Sequence, residues 1–102
     1  MTILHTINKS PFQTTDLDSC LRHARKGSAI LLIEDAVYAA MGNTGISERV
    51  GEALKNTNVY VLGPDLDARG LERERVVRGV EIVDYGGFVD LAVEHDHVQA
   101  WV

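Results

Sequence analysis

Residues 29–41 read AILLIEDAVYAAM, and the first five of them, Ala29 to Ile33, are continuously apolar. A strand that shows no polar face belongs in a sheet covered by helices on both sides, which is the setting of parallel strands. Glu34 and Asp35 stop the run, and Ala36 to Met41 then reads as a short helix with no polar side. A central strand followed at once by helical sequence is the rhythm of an α/β protein.

Working outward, residues 2–7 (TILHTI) read as a strand that Asn8, Ser10 and Pro11 break. Asp16 to Lys26 follow as a helix, with Thr14 or Thr15 placed to cap it, Leu17, Leu21 and Ala24 on one face, and Gly27 ending it. Further strands fall at 59–62, 80–83 and 98–102, giving a mostly parallel sheet of about five. Ser47 to Lys55 form a helix showing Val50, Ala53 and Leu54. Another begins near Gly87, where Phe88, Leu91, Ala92 and His95 recur at i, i+3, i+4 and i+7 and turn one side to the sheet. No repeat, low-complexity tract or linker divides residues 1–102, so one small domain is expected.

Two segments bear on function. A helix apolar all round is normally buried, and in so thin a domain the segment Ala36, Val37, Tyr38, Ala39, Ala40 and Met41 is either local core or, as its composition favours, a subunit interface. The last strand alternates, with Val98, Ala100 and Val102 on one face and Gln99 and Trp101 on the other. At a sheet edge Trp101 needs cover, from its own domain or as an interface anchor.

Charge and composition exclude several classes. A formal charge of −5 argues against direct gripping of nucleic acid, which relies on clustered Lys and Arg. The basic cluster Arg69, Arg73, Arg75 and Arg78 is interleaved with Glu72 and Glu74 and reads as a solvated loop. The opening MTILHTINKS has no secretory pattern and no apolar run approaches a membrane span. With one cysteine and hence no internal disulfide, a cytoplasmic protein is expected.

Cys20 is the one residue able to carry sulfur covalently, since that requires a thiolate. It lies about 60° from Leu17 on the helical wheel, at the flank of the apolar stripe, which favours a neutral packing thiol over an activated one. Glu34, Asp35, Asp65 and Asp84 stand after strands, where open sheets place ligands. Asp65 after Pro64 and Asp84 before a helix are better explained as first-turn and capping residues, so no metal site is expected. A phosphoacceptor receiver would need acidic residues after the first strand, where Asn8 and Lys9 stand. His95 and His97, two apart, do not face one another on a helix end, and His5 within a strand is structural. The glycines form no nucleotide-binding loop, so no cofactor is expected.

Five separated stretches, ILHTINKSPF (3–12), LLIEDAVYAAM (31–41), YVLGPDLDARG (60–70), VDYGGFVDL (83–91) and QAW (99–101), resemble the DsrH/TusB family along nearly the whole chain. The resemblance implies a flavodoxin-like three-layer α/β sandwich. It also implies a supporting subunit of a heterohexameric sulfur relay, with DsrE/TusD-like and DsrF/TusC-like subunits as partners and a DsrC/TusE-like acceptor of persulfide sulfur. In such a relay the principal sulfur-carrying cysteine belongs to the DsrE/TusD partner, leaving Cys20 an auxiliary thiol at most. Of the two branches, Cys20 in SCLRHARKG with KSPF and GPDLDARG looks more like the DsrH of sulfur oxidation than the TusB of 2-thiouridine formation on tRNA.

Overall fold

The computed structural model describes residues 2–102. Its five strands are β1 (Ile3–Ile7), β2 (Ala29–Leu32), β3 (Asn58–Leu62), β4 (Glu81–Val83) and β5 (His97–Trp101), all parallel, in the order β4-β3-β2-β1-β5. The helices are α1 (Asp16–His23), α2 (Ser47–Ala53), α3 (Gly63–Ala68) and α4 (Tyr85–Glu94), with 3-10 segments at Glu34–Ala40 and Arg73–Arg75. The expected three-layer sandwich is present. Its strand order departs from the 2-1-3-4-5 of flavodoxin, because the one reversal of direction falls between β4 and β5 instead of between the second and third strands.

That single reversal decides the layers. Crossovers between parallel strands take one hand, so three connections running the same way put their helices on one face, and the reversed one puts α4 on the other. Packing agrees. Leu17 and Cys20 of α1, Ala36, Val37, Ala39 and Ala40, Val50 of α2 and Leu66 of α3 share a core with Ile7, Ile30, Leu32 and Val61. The opposite core is small: Leu91 of α4 against Leu4, Ala29 and Leu31, flanked by Phe88, Ala92, Tyr60 and Val83. β2 is buried at every position, as its unbroken apolar sequence requires.

Several boundaries differ from the sequence reading. α1 ends at His23, three residues before Lys26, and Gly27 with φ +91° makes the turn into β2 instead of capping the helix. Thr15 occupies the N-cap position without a side-chain bond, while the Thr14 hydroxyl accepts from the Asp16 N–H at 3.4 Å. The segment read as a helix from Ala36 is a 3-10 turn series that starts two residues earlier, at Glu34. Glu34 holds a left-handed backbone (φ 50°), and its N–H donates to the Asp65 carboxylate at 2.6 Å, which anchors this unfavourable turn. Asp84 caps α4 as its position suggested, its Oδ1 accepting from the Gly87 N–H at 2.8 Å.

Because α4 is the sole helix on its face, its cap matters. Asp84→Ala should cost about 1 kcal/mol in urea unfolding and Asp84→Asn much less. Equal stability of Asp84→Ala and the parent would show that the cap does not hold α4.

Candidate functional site

The C-terminal ends of parallel strands are where open sheets gather ligands. Three of the four carboxylates there are already occupied. Asp65 accepts from Glu34, Asp35 pairs with Arg69 at 3.0 Å, and Asp84 caps α4. Among the described residues no three His, Cys, Asp or Glu side chains converge on a point that could hold a metal. At the other end of the sheet the His95-Asp96-His97 triplet is divided. The His95 Nδ1 lies 2.7 Å from the Leu91 carbonyl, while Asp96 accepts from the Thr2 N–H at 2.8 Å. That backbone bond, more than the charges near it, holds the Asp96 carboxyl below the usual carboxylate range. Of the arginine cluster, Arg69 pairs with Asp35, Arg73 with Asp67 and Arg75 with Glu72.

Cys20 sits on the inner face of α1 with no exposed surface. Burial pushes its thiol up to about 12, which favours the neutral form across the physiological range. The geometry gives no support to an auxiliary sulfur-handling role. The register carries the reason: Cys20 shares the α1 surface that Leu17 turns to the sheet, so the flank position becomes core.

Trp101 is half-sheltered by its own fold. It pairs with Ile7 in the register of β1 and β5 and lies on the α1 side of the sheet. Its Nε1–H donates to Nδ1 of His5 at 3.1 Å, and its ring stands 6.1 Å from the His5 ring and 6.3 Å from that of His23. An indole N–H can only donate, which assigns His5 Nδ1 as the bare acceptor and places its proton on Nε2. His5 is buried, and that burial lowers its pKa.

The segment Ala36–Met41 needs a correction. Ala36, Val37, Ala39 and Ala40 are wholly enclosed and Met41 is nearly so, all within the chain's own core against α1, α2 and α3. An all-apolar turn series demands cover on every side, and here the domain supplies it, so the side chains of Ala36, Val37, Ala39 and Ala40 are not available to a partner. Tyr38 is partly exposed, and with Phe12, Met41 and Leu71 it borders a cavity of about 280 Å³. A larger open groove, about 760 Å³, runs between α1 and α2, but it is lined by Asp18, Arg22, Glu48 and Glu52 and bridged by the Arg49–Asp18 ion pair at 2.6 Å. Its mixed charges leave it well solvated.

The exposed apolar surface lies elsewhere. Tyr85, Val89 and Val93 of α4 are 62, 60 and 80% exposed, and Val98 of β5 is 49% exposed. The sequence held the signal. While Phe88, Leu91 and Ala92 face the sheet, Tyr85, Val89 and Val93 recur at i, i+4 and i+8 on another flank, so α4 too is largely apolar around its circumference.

The architecture is that of known α/β proteins. The ychN protein of E. coli superposes with a TM-score of 0.83 at 21% identity over 99% of each chain, and a protein of unknown function from Methanobacterium thermoautotrophicum with 0.74 at 16% over 96% of each. At those identities the likeness is one of fold. The family model described as DsrH like protein matches residues 9–98. Protein TusB of Pectobacterium parmentieri is 39% identical across 97% of this chain and all of its own length, and Protein TusB of Escherichia coli K12 is 38% identical with the same coverage. The chain belongs to the DsrH/TusB family.

Two measurements test the buried groups. A thiol-reactive dye at pH 8 should leave Cys20 unlabelled in the native protein and modify it fully in urea; rapid native labelling would contradict its enclosure. For His5, a lowered folded pKa means the unfolded chain binds the extra proton first. Stability should therefore be complete above the ordinary histidine value near 6.5 and fall as pH drops below it, by at most about 1.4 kcal/mol per pH unit. The His5→Gln variant should lose that slope between pH 6.5 and 5, and its persistence would assign the effect to another group.

Proposed function

We propose that this chain is the TusB-type subunit of a cytoplasmic TusBCD-like sulfur relay. That relay passes persulfide sulfur to a TusE-type acceptor for 2-thiouridine formation at the tRNA wobble position. The observation that carries this reading is the full-length likeness to TusB proteins at 37–39% identity. The expectation of a sulfur-oxidation branch drew on Cys20 and on short stretches of wording. Cys20 is a buried core residue with a raised pKa, which supports a packing role for it in preference to a mark of that branch.

The chain's role in the relay is that of a supporting subunit, with TusC-like and TusD-like chains as its companions in a heterohexamer. A buried neutral thiol is a poor sulfur acceptor, which supports placing the transferring cysteine on the TusD-like partner. The exposed apolar surface on α4 and β5 supports association. The formal charge of −5 fits a protein that meets tRNA only through others.

Deletion of the gene, with 2-thiouridine in digested tRNA measured by mass spectrometry, tests the reading. Thiouridine should fall to the level of a strain lacking the TusD-like subunit, and both the parent gene and its Cys20→Ala variant should restore it. Unchanged thiouridine alongside a defect in oxidising stored sulfur would assign the chain to the other branch.

A further inference from the structure

The edge strand β5 is tied to β1 by side chains at both ends, and the two ties differ in their response to acid. At its start the Asp96 carboxylate accepts from the Thr2 N–H at 2.8 Å, and the Asp96 N–H donates to the Thr2 hydroxyl at 3.2 Å. At its end the Trp101 Nε1–H donates to His5 Nδ1 at 3.1 Å. The first tie needs a bare carboxylate. The bond from Thr2 holds Asp96 below the usual carboxylate range, so this tie survives mild acid. The second needs a bare imidazole nitrogen, which mild acid takes away.

An indole can only donate and an imidazolium has no acceptor, so the Trp101–His5 bond and a protonated His5 exclude one another. Charge sharpens the conflict. The rings stand 6.1 Å apart at 48°, and the indole turns its N–H edge to His5. The edge of an aromatic ring is its positive pole, so a cation at Nδ1 gains nothing from the ring face. Nor does a neighbouring anion compensate. β2 sets Ile30 beside His5 and β5 sets Gln99 there. The titratable groups on the packed elements are Asp16, Cys20 and His23 of α1 and His97 of β5, while Asp18 is drawn to Arg49 and Arg22 lines the groove towards α2. None of them moves His5, whose pKa is lowered by burial alone. At 3% exposure its ring also lacks the water that would solvate a new N–H.

We propose that His5 and Trp101 form a proton-operated latch on the edge of the sheet. With His5 neutral, the indole is locked back across β1 on the α1 side. When His5 Nδ1 takes a proton from solvent, the indole N–H loses its acceptor and the ring swings off. The C-terminal end of β5 then loosens while the Asp96–Thr2 tie holds its start. Trp101 packs on the larger core, with its ring 6.3 Å from that of His23, so its departure uncovers the seam between β1 and α1. The direction follows from linkage: the open state binds the proton more readily than the latched one, so acid favours opening.

Trp101 is the chain's one tryptophan, so its fluorescence and the NMR signal of its indole N–H report on the latch without labelling. In the full chain titrated from pH 7.5 to 5, the emission should shift to the red. Protection of the indole N–H from hydrogen exchange should fall by about tenfold per pH unit below the ordinary histidine value near 6.5. The His97 N–H, which donates to the Thr2 carbonyl at 3.2 Å, should keep its protection, and far-UV circular dichroism should stay constant. His5→Gln offers an acceptor that does not titrate, so its indole should stay locked throughout, whereas His23→Gln should behave as the parent. A parent indole indifferent to pH overturns the latch, as does a transition that survives in His5→Gln or vanishes in His23→Gln. Equal loss of protection at His97 and the indole overturns the one-ended hinge, since the strand then leaves as a whole. Should His5→Gln not fold, the His5 ring signals of the parent take its place: they must titrate with the same midpoint as the indole, and separate midpoints overturn the coupling.

Discussion

The hand of the βαβ crossover is the constraint from which the rest of this molecule follows. β1 lies inside the sheet with β2 on one side and β5 on the other, and the chain leaves it towards β4 and returns past it only at the end. With the hand fixed, that path places α1, α2, α3 and the Glu34–Ala40 segment on one face and leaves α4 alone on the other. Everything unequal about the two faces descends from it. One holds a dense core in which a cysteine and a string of alanines are fully enclosed; the other holds a small cluster around Leu91 beside bare valines.

Much of the fold was legible in the sequence, and the reason is periodicity. The unbroken AILLI could only be a doubly covered strand, and the alternation of Val98, Ala100 and Val102 against Gln99 and Trp101 gave the correct division of β5 between the two faces. Of the two covers open to Trp101, its own domain or a partner, the structure supplies the first in part: α1 and His5 shelter the indole while the valine side lies open, because sequence alternation states which residues share a face and not which face has helices to spare. The same limit explains the Ala36–Met41 segment. Apolarity on all sides demands complete cover, and whether that cover is intramolecular depends on the strand order, which no local pattern encodes.

α4 shows a related limit. Its Phe88, Leu91, Ala92 and His95 satisfy the template for a helix lying on a sheet, and that template says nothing of the remaining valines. Single exposed apolar side chains are ordinary surface. Three spaced four apart, next to an uncovered edge strand, are a surface with a direction. The pattern becomes informative only when β5 is known to pair with β1, since only then do Val98 and Ala100 share a side with Leu4 and extend the stripe.

Charge follows the same division of the chain. Residues 79–102, which build β4, α4 and β5, carry Glu81, Asp84, Asp90, Glu94 and Asp96 with no lysine or arginine, so they hold the whole formal charge of −5 while residues 1–78 balance. β4 and β5 are the two edges of the sheet, so these carboxylates are spread from one edge to the other and not gathered at one patch. Like charges on both edges disfavour edge-to-edge pairing between copies, the hazard to which a sheet with two open edges is exposed.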